Sequence, residues 1–268
     1  MEYQFVKDRR MLEYGLNGLH SDIFCFSTTR HGGYSGGNYA SFNCNACCGD
    51  SETSVAQNRG LLCSLMPVRP KCLVIPHQVH RTEVRCIDES FLLEDESERA
   101  VLLEGVDALV SSLPEVCLCI STADCVPILF FDTRLKIVAA AHAGWRGTVA
   151  GIAAKTLRVM ADAYGTRGQD VAACIGPSIS PDAFEVGDEV YEAFRSAGFR
   201  MDRIAFRRGK WHIDLWEANR MQLLDSGVLP ENVELSGICT YNAPADFFSA
   251  RRLGIRSGRI LSGIMLLR

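Results

Sequence analysis

The chain has 268 residues, 47% of them hydrophobic and 22% charged, which is ordinary for a globular protein and enough for a sizeable core. With 28 Lys and Arg against 32 Asp and Glu the net charge is −4, so the basic footprint of a nucleic-acid binder is absent. No apolar run reaches the length of a membrane span and MEYQFVKDRR carries no apolar signal segment, so no membrane partner is expected and the expected compartment is cytoplasmic.

Twelve cysteines without a secretory signal read as reduced thiols rather than a disulfide framework. Most of them lie inside apolar runs and read as small core residues. Cys44, Cys47 and Cys48 form a CxxCC cluster with no second pair at finger-like spacing. That cluster is expected to be dispensable, with all three cysteines replaceable by Ser.

In chain order, residues 22–29 read as a strand. A glycine-rich loop over 30–38 follows; it lacks the spacing of a phosphate-binding P-loop, and the flanking Arg30 and Asn43 suggest a loop that faces substrate. Residues 51–66 form an amphipathic helix, with Asn58 and Arg59 close to its apolar face. Strands are expected over 72–75 and 83–87, separated by Pro76-His77-Gln78-Val79-His80. Two of the chain's six histidines lie three apart there, which suggests a metal ligand or a pair of surface imidazoles. Residues 88–104 are acidic and read as a solvated excursion with some helix. Residues 107–110 return as a strand.

The stretch 117–151 organises the rest. Continuous apolar runs over 117–121, 126–131 and 136–141 read as strands buried on both faces. Ala123-Asp124-Cys125 separates the first two, and Pro127 makes irregular backbone expected there. The third run delivers His142, followed by a turn over 143–147 and a helix from Thr148 that stops at Gly165. Read singly, Cys125 and His142 fit a buried thiol and a core imidazole. Asp124, Cys125, His142 and Arg146 all fall at strand ends or turns, and as a group they read as a site.

Further on, a strand is expected over 171–175, helices over 187–198 and from Asp214 to Gly227, and closing strands over 233–238, 247–251 and 259–266. No repeat or Pro/Ser-rich linker divides the chain. One domain over 1–268 is expected, of α/β class with mixed β-sheets and helices outside.

His80, Cys125 and His142 are the ligand types of a catalytic zinc site that keeps one coordination position open. Asp124 would orient a ligand or take a proton, and Arg30, Arg59 and Arg146 offer anion recognition. A rival reading uses Cys125 as a nucleophile with His142 as its base, in a metal-free hydrolase or deamidase, and leaves His80 without a role.

The segments TTRHGGYSGGNYASFN, Asn58-Arg59, HQVH, TADCVPILFFD, AHAGWRGTVAGI, CIGPSIS and FFSARR resemble the YfiH/FAMIN family, whose older name is the multicopper polyphenol oxidase or laccase-domain family. The likeness extends from about Phe24 to Gly263. It implies an α/β fold with sheets packed between helical layers, related to the catalytic domain of cytotoxic necrotizing factor toxins. It implies a zinc-type site at His80, Cys125 and His142. It also implies purine nucleosides and inorganic phosphate as partners: phosphorolysis of adenosine, inosine, guanosine and methylthioadenosine, with adenosine deamination. A non-enzymatic nucleoside sensor would keep the same pocket. The substrate-binding roles of Arg59, Arg30, Asn43 and Arg146 are inferred from the residues, with Arg59 the leading candidate for phosphate. A four-copper oxidase is excluded: it needs many imidazoles, and six histidines with no His-x-His pair can serve one metal only. Copper would share the zinc site.

Overall fold

The computed structural model describes residues 3–268. Its strands, in chain order, are β1 (Gln4–Val6), β2 (Met11–Glu13), β3 (Ile23–Thr28), β4 (Cys72–Val74), β5 (Val84–Cys86), β6 (Ala108–Ser111), β7 (Val116–Thr122) and β8 (Val126–Asp132). They continue with β9 (Ile137–Ala143), β10 (Val171–Ile175), β11 (Glu185–Val186), β12 (Ala205–Arg208), β13 (Lys210–Ile213), β14 (Val233–Leu235) and β15 (Ile260–Leu266). One six-stranded sheet has the order β1-β2-β3-β15-β7-β4, and a second has the order β14-β10-β8-β9-β6-β5; β11, β13 and β12 make a small third sheet.

Every residue of β7, β8 and β9 is buried, so the period-2 alternation distributes apolar side chains between two cores. Leu118 and Ile120 of β7 meet Leu129 and Phe131 of β8 and Val138 and Ala140 of β9, which places one core between the two large sheets. Ile128, Phe130, Ala139 and Ala141 turn the other way, against the helices Ile152–Tyr164, Asp188–Ser196 and Leu215–Asp225. Cys117 and Cys119 face the far side of the first sheet with Phe26, Phe42 and Leu62, the last on the helix Glu52–Leu65. The result is an α/β fold in which two mixed sheets lie between helical layers.

Several local expectations change. Residues 247–251 form no strand: Phe247 and Phe248 are buried, and Ser249 caps a short helix, Ala250–Leu253, by accepting from Arg252 N–H. Their aromatic run follows a core contact rather than a sheet period. The turn after His142 is helical at once, over Trp145–Val149, and Gly151 in the left-handed region (φ 77°) starts the longer helix. Pro127 does not disrupt β8. Its carbonyl accepts from Gly176 N–H, just beyond the last registered β8–β10 pair, Ile128–Ile175, so its missing N–H faces the end of that ladder. The hairpin β12–β13 was not foreseen.

The topology puts the site at one end of the two-sheet sandwich. The loop from β4 to β5, which holds HQVH, crosses from the first sheet to the second. The turn from β7 to β8, which holds Cys125, makes the same crossing. His142 pairs with Pro127 near the end of β9, beside that turn.

A candidate metal centre and its cavity

His80, Cys125 and His142 each offer one ligand atom, and these atoms lie within 4.8 Å of one another. The imidazole rings are edge to face, with centroids 4.7 Å apart. His142 is buried, Cys125 half-buried and His80 exposed, so the group opens to solvent on one side.

The residue that assembles them is Asp107, fully buried at the start of β6. Its Oδ1 lies 2.8 Å from His142 Nδ1 and accepts the His80 N–H at 3.0 Å. Its Oδ2 accepts the N–H groups of Val79 and Arg81. These donors hold His80 at φ 61°, a left-handed conformation that costs a non-glycine residue about 1–3 kcal/mol when the surroundings impose it. Gln78 clamps the same loop to β7: its Nε2 donates to Ser121 C=O and its Oε1 accepts Ser121 N–H. Gly144 supplies room. A Cβ there would stand 3.0 Å from both Cys125 Sγ and His80 Cδ2.

Burial alone would raise the Cys125 thiol, but the facing His142 and then hydrogen bonds from His142 and His80 outweigh it and bring the group down to about 6. Burial would likewise lower His142; the Cys125 thiolate and Asp107 reverse this and raise it to about 9. Burial also opposes ionisation of Asp107, yet its bonds to His142, Arg81 and Val79 hold it below the usual carboxylate range. Without a metal, both shifts favour a thiolate beside an imidazolium between about pH 6 and 9.

The three ligands share a cavity of about 350 Å³ with Asn45, Cys47, Cys48, His77, Thr122 and Arg259, among others. That volume lies at the lower end of small-molecule pockets, which span about 300–1,000 Å³. Ile255, 78% exposed, stands at its wall and offers an apolar surface.

The other residues singled out from sequence sit elsewhere. Asp124 is almost fully buried, and both carboxylate oxygens are engaged: Oδ1 accepts from Thr240 Oγ1 and Oδ2 from Arg251 N–H. These two bonds fix the turn before Cys125. Arg30 donates to the carbonyls of Ala40 and Pro244 and lies over the Phe248 ring. Arg59 donates through Nε to Cys44 C=O. Arg146 is exposed and stacks on Trp145. None of these four lines the cavity. Asn43 is buried behind its wall, where its Nδ2 donates to Asp50 and its Oδ1 accepts from Arg259 N–H. The glycine-rich loop is also structural: Asn58 Nδ2 donates to Ser35 Oγ, Ser41 C=O and Asn43 C=O, while its Oδ1 accepts Tyr34 N–H. The part of this region that faces the cavity comes later, at Asn45, Cys47 and Cys48, so the CxxCC cluster is not remote. Exposed His77 lies at the rim with Nδ1 on Glu104.

Sequence reading missed Asp107, Gln78 and Arg259. Two carried a local signal: Gln78 lies within HQVH, and Asp107 is a carboxylate at the head of a largely apolar strand.

Residues 24–267 match the family described as multi-copper polyphenol oxidoreductase laccase. The chain is 56% identical over 264 residues to a Bacteroides thetaiotaomicron protein named purine nucleoside phosphorylase, covering 97% of this chain and 98% of that one. It is 45% identical over 247 residues to adenosine deaminase RL5 from an unknown prokaryotic organism, covering 90% of this chain and 93% of the relative. The crystal structure of YlmD from Geobacillus stearothermophilus superposes with a TM-score of 0.90 at 32% identity, covering 99% of each chain. A buried carboxylate beneath a His-Cys-His cluster, on a fold shared over its whole length with YlmD, thus comes with a family match over nearly all of the sequence: the chain belongs to the multi-copper polyphenol oxidoreductase laccase family of YfiH and YlmD proteins.

Proposed function

We propose that this protein is a zinc-dependent purine nucleoside phosphorylase that accepts adenosine, inosine, guanosine and S-methyl-5′-thioadenosine and also deaminates adenosine. The observation that carries this reading is the convergence of His80, Cys125 and His142 at the wall of a nucleoside-sized cavity. The names of the two relatives supply the substrate class and both reactions.

The donor set fits one ion. Two imidazoles and a thiolate are zinc ligands, and Asp107 leaves the His142 Nε2 lone pair free by bonding Nδ1, the outer-sphere arrangement typical of metal-binding histidines. It does not fit four coppers: among the described residues this is the only such cluster of three, although the same donors would accept one Cu²⁺. When bound, zinc would act as a Lewis acid that polarises an oxygen or lowers the pKa of a water. The chain's own part is positional. Asp107 and Gln78 keep both histidines in place, Gly144 keeps the space between ligands free, and Ile255 offers an apolar surface to a purine face.

The lowered Cys125 pKa also suits a metal-free nucleophile with His142 as its base. His80 weighs against that reading, because strained backbone is spent on bringing in an imidazole that a Cys-His pair does not need.

The test is product analysis by chromatography with inosine and with adenosine, each with and without phosphate, alongside metal content. Hypoxanthine and ribose 1-phosphate formed only with phosphate, inosine formed from adenosine, and close to one zinc per chain are expected. Binding without turnover would mark a nucleoside sensor. Full zinc occupancy in Cys125→Ala would sink the ligand assignment.

A further inference from the structure

We propose that Arg259 forms a phosphate subsite on the wall of the metal-centre cavity, taking a phosphate dianion either as inorganic phosphate beside a nucleoside or as the phosphate of a nucleotide. The inorganic-phosphate form deepens the phosphorylase reading and rests on it; the binding of phosphate itself does not.

Arg259 reaches the site through the sheet. Ile260 registers with Thr122 across β15 and β7, so Arg259, one residue earlier, falls at the turn that delivers Cys125. Its backbone N–H is fixed on Asn43 Oδ1 at 3.0 Å. Its guanidinium is held from behind by carbonyls: Nη1 donates to Ser257 and Gly258, and Nη2 to Ile255. These are neutral acceptors. Among the described residues Arg259 makes no ion pair, and its Nε–H has no acceptor. A fork pre-oriented by carbonyls, with its charge uncompensated, is built to receive an anion.

The surroundings agree. Among the described residues no Asp or Glu lines the cavity. Among the described residues Arg259 is the only Lys or Arg on its wall. A phosphate carries about 1.5–2 negative charges near neutral pH, and its oxygens would accept from the free Nε–H and the second Nη2–H of that fork. Arg30, Arg59 and Arg146 have no comparable position, since none of them lines the cavity.

The experiment is calorimetric titration of the purified protein with inorganic phosphate and with inosine 5′-monophosphate, in wild type, Arg259→Gln, Arg259→Lys and the exposed-surface control Arg256→Gln. Saturable phosphate binding is expected in wild type, at least tenfold weaker in Arg259→Gln, several-fold weaker in Arg259→Lys and within twofold in Arg256→Gln. Arg259→Lys keeps the charge and loses the fork, so its loss reads orientation rather than attraction, and unchanged melting temperatures show that the variants fold. If the source is free phosphate, inosine and phosphate bind together; if it is a nucleotide, inosine 5′-monophosphate binds more tightly than inosine and displaces phosphate. Absence of saturable binding in wild type, or unchanged affinity in both Arg259→Gln and Arg259→Lys, overturns the subsite. Arg259-dependent binding without phosphorolysis would overturn the phosphorylase reading and leave the subsite standing. Phosphorolysis whose phosphate KM ignores Arg259 would do the reverse.

Discussion

Asp107 Oδ1 lies 2.8 Å from His142 Nδ1 and also accepts the His80 backbone N–H, so one buried carboxylate fixes both histidines of the candidate metal centre. Asp107→Asn removes an acceptor and turns an amide N–H₂ toward donors. Outer-sphere partners of this kind are worth roughly 10–100-fold in metal affinity. That loss is expected in Asp107→Asn, measured by competition with a chelator, together with a lower melting temperature at neutral pH. Since the Asp107 pKa is lowered on folding, its stabilisation is present above the ordinary carboxylate pKa and is lost as pH falls through the lowered value. The melting temperatures of wild type and variant should therefore converge in acid.

Gly144→Ala probes how tightly the ligands are spaced. Its backbone is unstrained for alanine, so the effect arises from the Cβ, 3.0 Å from Cys125 Sγ and His80 Cδ2. Overpacking of this sort costs about 1–3 kcal/mol. The expected outcome is a folded protein with at least tenfold weaker zinc retention on dialysis. Zinc bound as in wild type would mean that the site tolerates expansion.

In metal-free protein the Cys125 thiol is expected to react with iodoacetamide with a midpoint near pH 6 rather than its ordinary 9.0, and the midpoint should rise in His142→Ala. The two shifts act in opposite directions on stability. The lowered Cys125 value contributes above 9.0 and is lost as pH falls through about 6. The raised His142 value contributes below 6.5 and is lost as pH rises through about 9. Because the two groups titrate as a pair, the metal-free protein should be most stable between about 6 and 9, as thermal melts across pH would reveal.

The three clustered cysteines should separate. Cys44 is fully buried in the apolar layer under the first sheet, and a serine hydroxyl left unpaired there costs about 1–3 kcal/mol. Cys44→Ser should therefore lower the melting temperature. Cys47→Ser and Cys48→Ser alter the cavity wall and should raise nucleoside KM several-fold with little effect on melting. Equal melting temperatures for all three variants would refute this division.

Much of the molecule is determined by local pattern. Continuous apolar runs marked β7, β8 and β9, because a strand buried on both faces has no other composition available to it. Ser51 before a periodic helix and Gly165 after another marked their ends, because capping chemistry is local. The ligand types His80, Cys125 and His142 were legible as reactive side chains at strand ends. What only the tertiary structure decided is what surrounds them. Asp107 is 35 residues from His142, and Arg259 meets Asn43 across 216 residues. Such pairings follow from the order of strands in two sheets, which no window of sequence contains. The same packing keeps Arg30 and Arg59 on backbone carbonyls away from the cavity, and it leaves Arg259, an arginine with no local motif to distinguish it, on the wall of the candidate metal centre's cavity.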